Sequence, residues 1–247
     1  ELNLKAAPRL RRLSSHARSP VSSNKKLRVL KGSVLYGANA SGKSNIIKAI
    51  AYAKKLISGD IELDYCEQIR SSYFLLSPED KKDRSFTFEF TVGDSYFAYF
   101  LKTNFKIVLE EELVLITQNS EYQVFYRKFN DKSYSYHSDF ISNQYTDLTD
   151  KEVESAQIEF NFLSKYTPKN KPFLSEIAEK LFDSLKDSEI EDSPLRYFFV
   201  RISQSFYFFK FSLITIFPDT KYSGSLPELR SGRAEYLNLI SKFDTGI

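Results

Sequence analysis

The run Gly37-Ala38-Asn39-Ala40-Ser41-Gly42-Lys43-Ser44 constrains this chain more than any other feature. Two glycines five positions apart, followed by a lysine and a hydroxyl residue, make the pattern of a phosphate-binding loop. A triphosphate carries about four negative charges, and a loop around it must turn successive backbone N–H groups inward. Glycine permits that curvature because it has no Cβ. A helix starting behind the loop adds its free N–H groups and the positive end of its dipole. In such a loop Lys43 faces the β and γ phosphates of ATP, and the Ser44 hydroxyl is a ligand for Mg²⁺. The candidate nucleotide-binding residues are Gly37, Ala38, Asn39, Ala40, Ser41, Gly42, Lys43, Ser44 and Asn45, with Ser44 the metal ligand.

The flanking residues give the motif its context. From Arg28 to Tyr36 the apolar positions Val29, Leu30, Val34, Leu35 and Tyr36 predict a buried strand. From Ser41 to Leu56, Ile46, Ile47, Ile50, Ala53 and Leu56 recur at helical spacing. Glycine is scarce, with 8 in the chain, yet Gly32, Gly37 and Gly42 fall close together. A bare match to the pattern arises by chance in roughly one chain of this length in a hundred. Strand, glycine loop and helix in that order make the match meaningful.

The remaining sequence predicts an α/β fold. Phe86, Phe88, Phe90 and Val92 alternate on period two, Gly93-Asp94 is a turn signal, and Tyr96 to Leu101 reads as the returning strand. Ile107–Ile116 and Tyr122–Phe129 extend this to an antiparallel sheet of four or five strands, ending near Tyr136. After Thr149 the pattern turns helical as far as about Phe211, with Asp150, Glu152 and Glu154 near the first turn, where helix N-termini favour acids. Leu174, Ile177, Leu181 and Leu185 share one face of an amphipathic helix. Ser193-Pro194 reads as the opening of another, Leu213–Phe217 as a short strand, and Leu226–Phe243 as a final helix. The basic, turn-rich stretch 1–27 reads as a surface loop, or alternatively as one approaching the nucleotide. Two parts result: a phosphate-loop lobe with an antiparallel sheet over 1–147, and a mainly helical region over 148–247.

Composition narrows the class. A net charge of +3 argues for neither a nucleic-acid coat nor a membrane-surface protein. The most apolar stretch, Tyr197–Phe217, is broken by Arg201, Gln204 and Lys210, so no membrane span is expected. Cys66 is the single cysteine, which makes a reducing cytoplasm the default expectation. Methionine is absent even at position 1; the simplest reading is a stretch trimmed from a longer protein, the alternative being methionines lost from the sequence.

Other constellations are weaker. His16 and His137 are far apart with no cysteine nearby, so no zinc site is expected. Glu110-Glu111-Glu112 follows Ile107-Val108-Leu109 as an acidic Mg²⁺-holding pair would, but Leu113 and Leu115 continue the strand beyond it. Solvated glutamates on a sheet edge are the expected reading there. Ser223-Gly224 and Ser231-Gly232 read as turn residues rather than as an ATPase signature motif.

The stretch Tyr36-Gly37-Ala38-Asn39-Ala40-Ser41-Gly42-Lys43-Ser44-Asn45 resembles the ABC-type ATPase heads of chromosome-maintenance and DNA-repair proteins. It is most similar to bacterial OLD-like ATPases and to ATPase subunits of anti-phage systems such as Septu. Phe86–Phe90, Gly93-Asp94, Tyr96–Tyr99 and Glu112-Leu113 look like the antiparallel sheet that such heads insert, and Phe217-Pro218-Asp219 and Lys242–Ile247 look like other stretches of them. The resemblance implies the N-terminal part of an ATPase head that binds ATP and Mg²⁺. It implies pairing of ATP-bound heads into a homodimer or higher oligomer, and control of a nuclease effector or of DNA. It also implies a signature motif, a catalytic acid and a switch histidine, none of which can be placed here. The expectation is therefore a single incomplete head over 1–247, its catalytic residues unknown. A non-hydrolysing nucleotide sensor is the alternative.

Overall fold

Period-two patterning from Phe86 onward builds the largest element of the computed structural model, a five-stranded antiparallel sheet. The structure describes residues 2–7, 14–22, 24, 26–39, 41–63, 83–104, 106–141, 148–184 and 195–216. They belong to a unit spanning Glu1–Ile214, apart from Thr215 and Ile216, which fall in a second unit, Thr215–Ile247. The expected Leu226–Phe243 helix, the Ser193-Pro194 helix opening, Leu185, Cys66, Ser223-Gly224 and Ser231-Gly232 lie outside the described residues.

The sheet runs in the order β3 (Arg84–Val92), β4 (Ser95–Thr103), β5 (Val108–Ile116), β6 (Glu121–Asn130) and β7 (Ser133–His137). Two short strands precede it, β1 (Ala17–Arg18) and β2 (Val29–Leu30), paired antiparallel with each other. Val92 pairs with Ser95, so Gly93-Asp94 is a two-residue hairpin turn as its sequence predicts. Phe97, Tyr99, Leu101, Leu113, Leu115 and Phe125 are buried on one face. Each apolar side chain removed from water in this way contributes roughly 1.5–3 kcal/mol.

Helices cover that face. Helix α1 (Lys43–Ile57) follows the glycine loop and buries Ala53, Leu56 and Ile57 in the same core. Helix α2 (Asp150–Lys165) begins with a capping box in which Thr149 and Glu152 exchange hydrogen bonds, so the N–H groups of these two residues are met locally. Helix α3 (Phe173–Ser184) packs Phe173 edge-on against Phe125, with Leu174, Ile177 and Leu181 buried, as its predicted apolar face requires. Helix α4 (Arg196–Tyr207) runs into a π-helical turn, Phe208–Ser212, which stacks Phe208 on Phe90 at 4.2 Å. Helices α2, α3 and α4 thus occupy most of the described part of the stretch expected to be helical.

Three expectations are corrected. The predicted strand Arg28–Tyr36 shrinks to Val29–Leu30, and Val34 and Tyr36 are 77% and 87% exposed. An apolar extended segment becomes a strand only when a neighbour takes up its N–H and C=O groups, and 33–36 has no strand partner among the described residues. Leu213–Ile216 is likewise not a strand; the Leu213 N–H closes the π-helical turn on the Phe208 carbonyl instead. The third correction concerns the glutamates. Strand β5 is the middle strand of the sheet rather than an edge, and Glu111 is wholly buried. It faces inward because it shares the parity of Leu113 and Leu115.

The basic N-terminal stretch is more structured than a simple loop. Besides β1, it places Lys5 in an isolated bridge with Val29 and sets the Lys5 ammonium 2.6 Å from the Glu89 carboxylate. Ser22 donates to Asp94 at the hairpin turn through both its N–H and its hydroxyl.

Candidate functional site

Residues 37–39 and 41–45 lie together at the start of α1, where the loop motif places them; Ala40 is outside the described residues. Gly42 has φ +88° and immediately precedes the helix, a backbone conformation that costs a residue with a Cβ about 1–2 kcal/mol. A Cβ on Gly37 would lie 3.0 Å from the Ser41 Oγ, so the loop is drawn tight across its own base. Ser41 N–H donates to the Ala38 carbonyl, and Asn45 N–H to the Gly42 carbonyl.

Lys43 is the first residue of α1 and folds back over this loop. Its ammonium donates to the Gly37 and Ala38 carbonyls, each at 2.7 Å, and to the Ser41 hydroxyl at 3.3 Å. All three acceptors are neutral. Among the described residues no carboxylate pairs with Lys43, so its charge stands uncompensated.

The start of α1 differs from that of α2 in what it leaves open. No side chain caps α1, and its first turn contains no acid. Helix N-termini leave backbone donors without intrahelical partners, and the dipole adds partial positive charge there. At α2 the Thr149 hydroxyl takes one of those donors, the Glu152 N–H; at α1 no side chain takes any, and the Asn45 N–H turns back on the Gly42 carbonyl. Ser44 and Asn45 are exposed in that first turn. The result is a solvent-facing loop with a neutral-bonded ammonium and open N–H groups, the chemistry that a phosphate chain completes.

The far end of α1 is anchored to the rest of the unit. Lys210, in the π-helical turn, reaches Asp60 at 2.5 Å and the Ser58 carbonyl at 3.2 Å. The Lys210 ammonium and the Ser58 hydroxyl hold the Asp60 carboxyl below its ordinary range against the opposing effect of burial. Lys210 is a contact that sequence reading missed. It lies 150 residues from Asp60, and no local pattern connects the two.

The acidic triplet belongs to the core, not to the loop. The Glu111 carboxylate accepts N–H bonds from Phe173 at 2.6 Å and Leu174 at 3.0 Å, and the Tyr99 hydroxyl at 2.9 Å. Arg127, also fully buried, pairs with it at 3.7 Å and donates to the carbonyls of Pro168 and Lys171. The Tyr134 ring lies 3.9 Å from the guanidinium. Burial raises the Glu111 carboxyl above the usual range, against the pull of Arg127 and the two N–H groups. Glu110 and Glu112 turn the other way, Glu110 accepting from the Tyr126 hydroxyl and Glu112 from the Gln123 amide. His137 pairs with Asp139 at 3.1 Å on β7, while His16 ends a short 3-10 turn. Among the described residues no group of three His, Cys, Asp or Glu side chains could hold a metal ion.

A family model described as an AAA domain of AbiEii-toxin type, Type IV TA system, matches residues 33–210, more than half of the chain. The match takes in the loop, all five strands of the large sheet, and α1 to α4. The chain belongs to this AAA-domain family. Membership makes it a P-loop domain of mixed α/β content, of the nucleotide-binding ATPase kind. Comparison with curated proteins and with solved structures gives no match. No helix among the described residues is long and apolar enough to cross a membrane.

The residues present fit the phosphates of the nucleotide that the family implies. The fit rests on the uncapped, acid-free start of α1 and on an ammonium that already gathers three oxygen acceptors.

Proposed function

We propose that this AAA-family domain binds ATP with Mg²⁺ on the loop from Gly37 to Ser44, as the head of an ABC-type ATPase. The observation that carries the reading is the Lys43 ammonium, held over the loop, among the described residues, by neutral oxygens alone at the open start of α1. Lys43 would exchange those oxygens for phosphate oxygens, a gain because its ammonium then faces anionic rather than neutral acceptors. The open N–H groups of the loop and of the first turn of α1 would hold the phosphates, and the Ser44 hydroxyl would take one position on Mg²⁺, whose charge offsets that of the phosphate chain. Asn39 and Asn45, exposed beside the loop, complete the proposed set.

In this reading, two ATP-bound heads pair and hydrolysis controls a nuclease effector or a DNA-directed partner, in anti-phage defence or DNA maintenance. The Asn39 and Asn45 resemblance to OLD-like and Septu-type heads supports that role. A second reading is a nucleotide sensor that binds without hydrolysing. It draws on one observation: among the described residues no carboxylate stands against Lys43 to orient an attacking water. Phosphate release by the full-length protein separates the two. Lys43-dependent release that grows with protein concentration supports paired hydrolysing heads. Tight binding with no release at any concentration supports the sensor.

A further inference from the structure

Helix α2 is apolar on two opposite sides. Ala156 and Phe160 face the core, and Phe160 meets the rings of Phe173 and Phe198 edge-on. On the outer side Ile158, Phe162 and Tyr166 follow one another at four-residue steps and are 66%, 61% and 57% exposed. Phe162 and Tyr166 are in ring contact at 4.7 Å, so the stripe is continuous. A surface helix normally gives this side to polar residues, and clustered exposed apolar side chains mark an interaction surface.

The charges beside the stripe say what covers it. At about 100° per residue, Glu154 and Lys165 fall on the same flank of the stripe, one near each end of the helix. Both are exposed, and neither makes an ion pair among the described residues. Within one helix they are separated by about 16 Å, too far to meet. A two-fold axis near Phe160, crossing a second α2 antiparallel to the first, brings them together. Ile158 then packs on the second copy's Phe162 and Phe162 on its Ile158. Glu154 meets the second copy's Lys165, and Lys165 its Glu154. One register satisfies apolar and charged residues at once, which is what an isologous contact requires.

We propose that α2 is a self-association surface on which a second copy of this chain docks antiparallel through Ile158, Phe162, Glu154 and Lys165. One helix face offers less than the roughly 800 Å² per partner of a stable complex, so the contact is reversible. It uses none of the phosphate-loop residues, and therefore forms without nucleotide and survives Lys43→Ala.

The test is sedimentation equilibrium of the full chain without nucleotide, up to about 100 µM, where a micromolar contact is saturated. The expected result is a reversible monomer–dimer equilibrium. Phe162→Asp should weaken it at least about tenfold. Glu154→Lys and Lys165→Glu should each weaken it, and the double exchange should restore it, because opposite charges again face across the axis. Circular dichroism of each variant establishes that the fold is kept, as expected for exposed positions. A monomeric wild-type chain, a dimer unaffected by Phe162→Asp, or a double exchange no better than the singles would each overturn the proposal. Loss of ATP binding in Lys43→Ala with dimerisation unchanged keeps this contact distinct from the nucleotide site.

Discussion

Replacing Glu111 with glutamine tests how the sheet holds the helical layer. The substitution keeps the shape and removes the charge. Three donors converge on this carboxylate, the Tyr99 hydroxyl and the N–H groups of Phe173 and Leu174, and the Arg127 guanidinium is its counter-ion at 3.7 Å. Glutamine offers one acceptor oxygen and turns an NH₂ toward the rest, while Arg127 becomes a buried charge without a counter-ion. Breaking a buried pair by removing one partner costs about 3–5 kcal/mol, a large part of the ~5–15 kcal/mol that keeps a domain folded. In urea the unfolding midpoint should fall by about 1–2 M. Arg127→Met should behave differently. Glu111 already stands above the ordinary carboxyl range through burial, and without Arg127 it rises further. A carboxyl whose folded pKa exceeds its unfolded one favours the folded state at low pH and loses that advantage as pH rises toward the folded value. The Arg127→Met chain should therefore be more stable near pH 5 than near pH 8. Glu111→Gln combined with Arg127→Met should cost less than the sum of the two single changes, since neither partner is then left as a buried charge without its counter-ion. A Glu111→Gln cost under about 1 kcal/mol, or strictly additive single and double variants, would refute the coupling.

Three shorter predictions address other parts of the chain. Gly59, at the end of α1, has φ +72°, and a Cβ there would fall 2.3 Å from Glu179 Oε1. Glu179 can swing aside but the backbone strain stays, so Gly59→Ala should cost about 1–2 kcal/mol, read as a lowered Tm; an unchanged Tm would refute this. Thr149→Ala should cost about 1 kcal/mol by removing the α2 cap. The Thr149 N–H and hydroxyl hold Glu152 below the ordinary 4.5, so the wild-type box contributes above that pH and is lost as pH falls through the depressed value. The Tm difference between Thr149→Ala and wild type should accordingly shrink in acid. Ser44→Ala should leave metal-free ATP binding nearly unchanged while reducing the gain from Mg²⁺, measured by titration with and without the metal; an undiminished gain would count against Ser44 as the metal ligand.

Period-two patterning was legible because both faces of the sheet carry it. Phe86–Val92 was readable nearly to the observed Arg84–Val92, since core and solvent alternate along the strand. Glu111 was misread as solvated because of its charge, although parity with Leu113 and Leu115 points it inward. Its compensation comes from Arg127 and from the start of α3, both distant in sequence. The apolar residues of 33–36 carry a strand's composition, but pairing depends on a partner that local sequence does not contain. The loop was the reverse case, because its geometry is set by residues inside it. Gly42 takes the left-handed conformation and Lys43 turns back over Gly37 and Ala38 without any distant contribution. The Lys210 contact with Asp60 had no local signature at all.

The central claim is that Lys43 and the loop before it hold the phosphates of ATP, and titration calorimetry of MgATP into wild type and Lys43→Ala tests it most directly. Among the described residues Lys43 bonds only to its own loop, so alanine should leave the fold and Tm intact. Losing one charge-assisted contact of about 1.5–3 kcal/mol should weaken affinity about ten- to a hundredfold. Equal binding of MgATP by the wild-type and Lys43→Ala chains, both folded, would contradict the account.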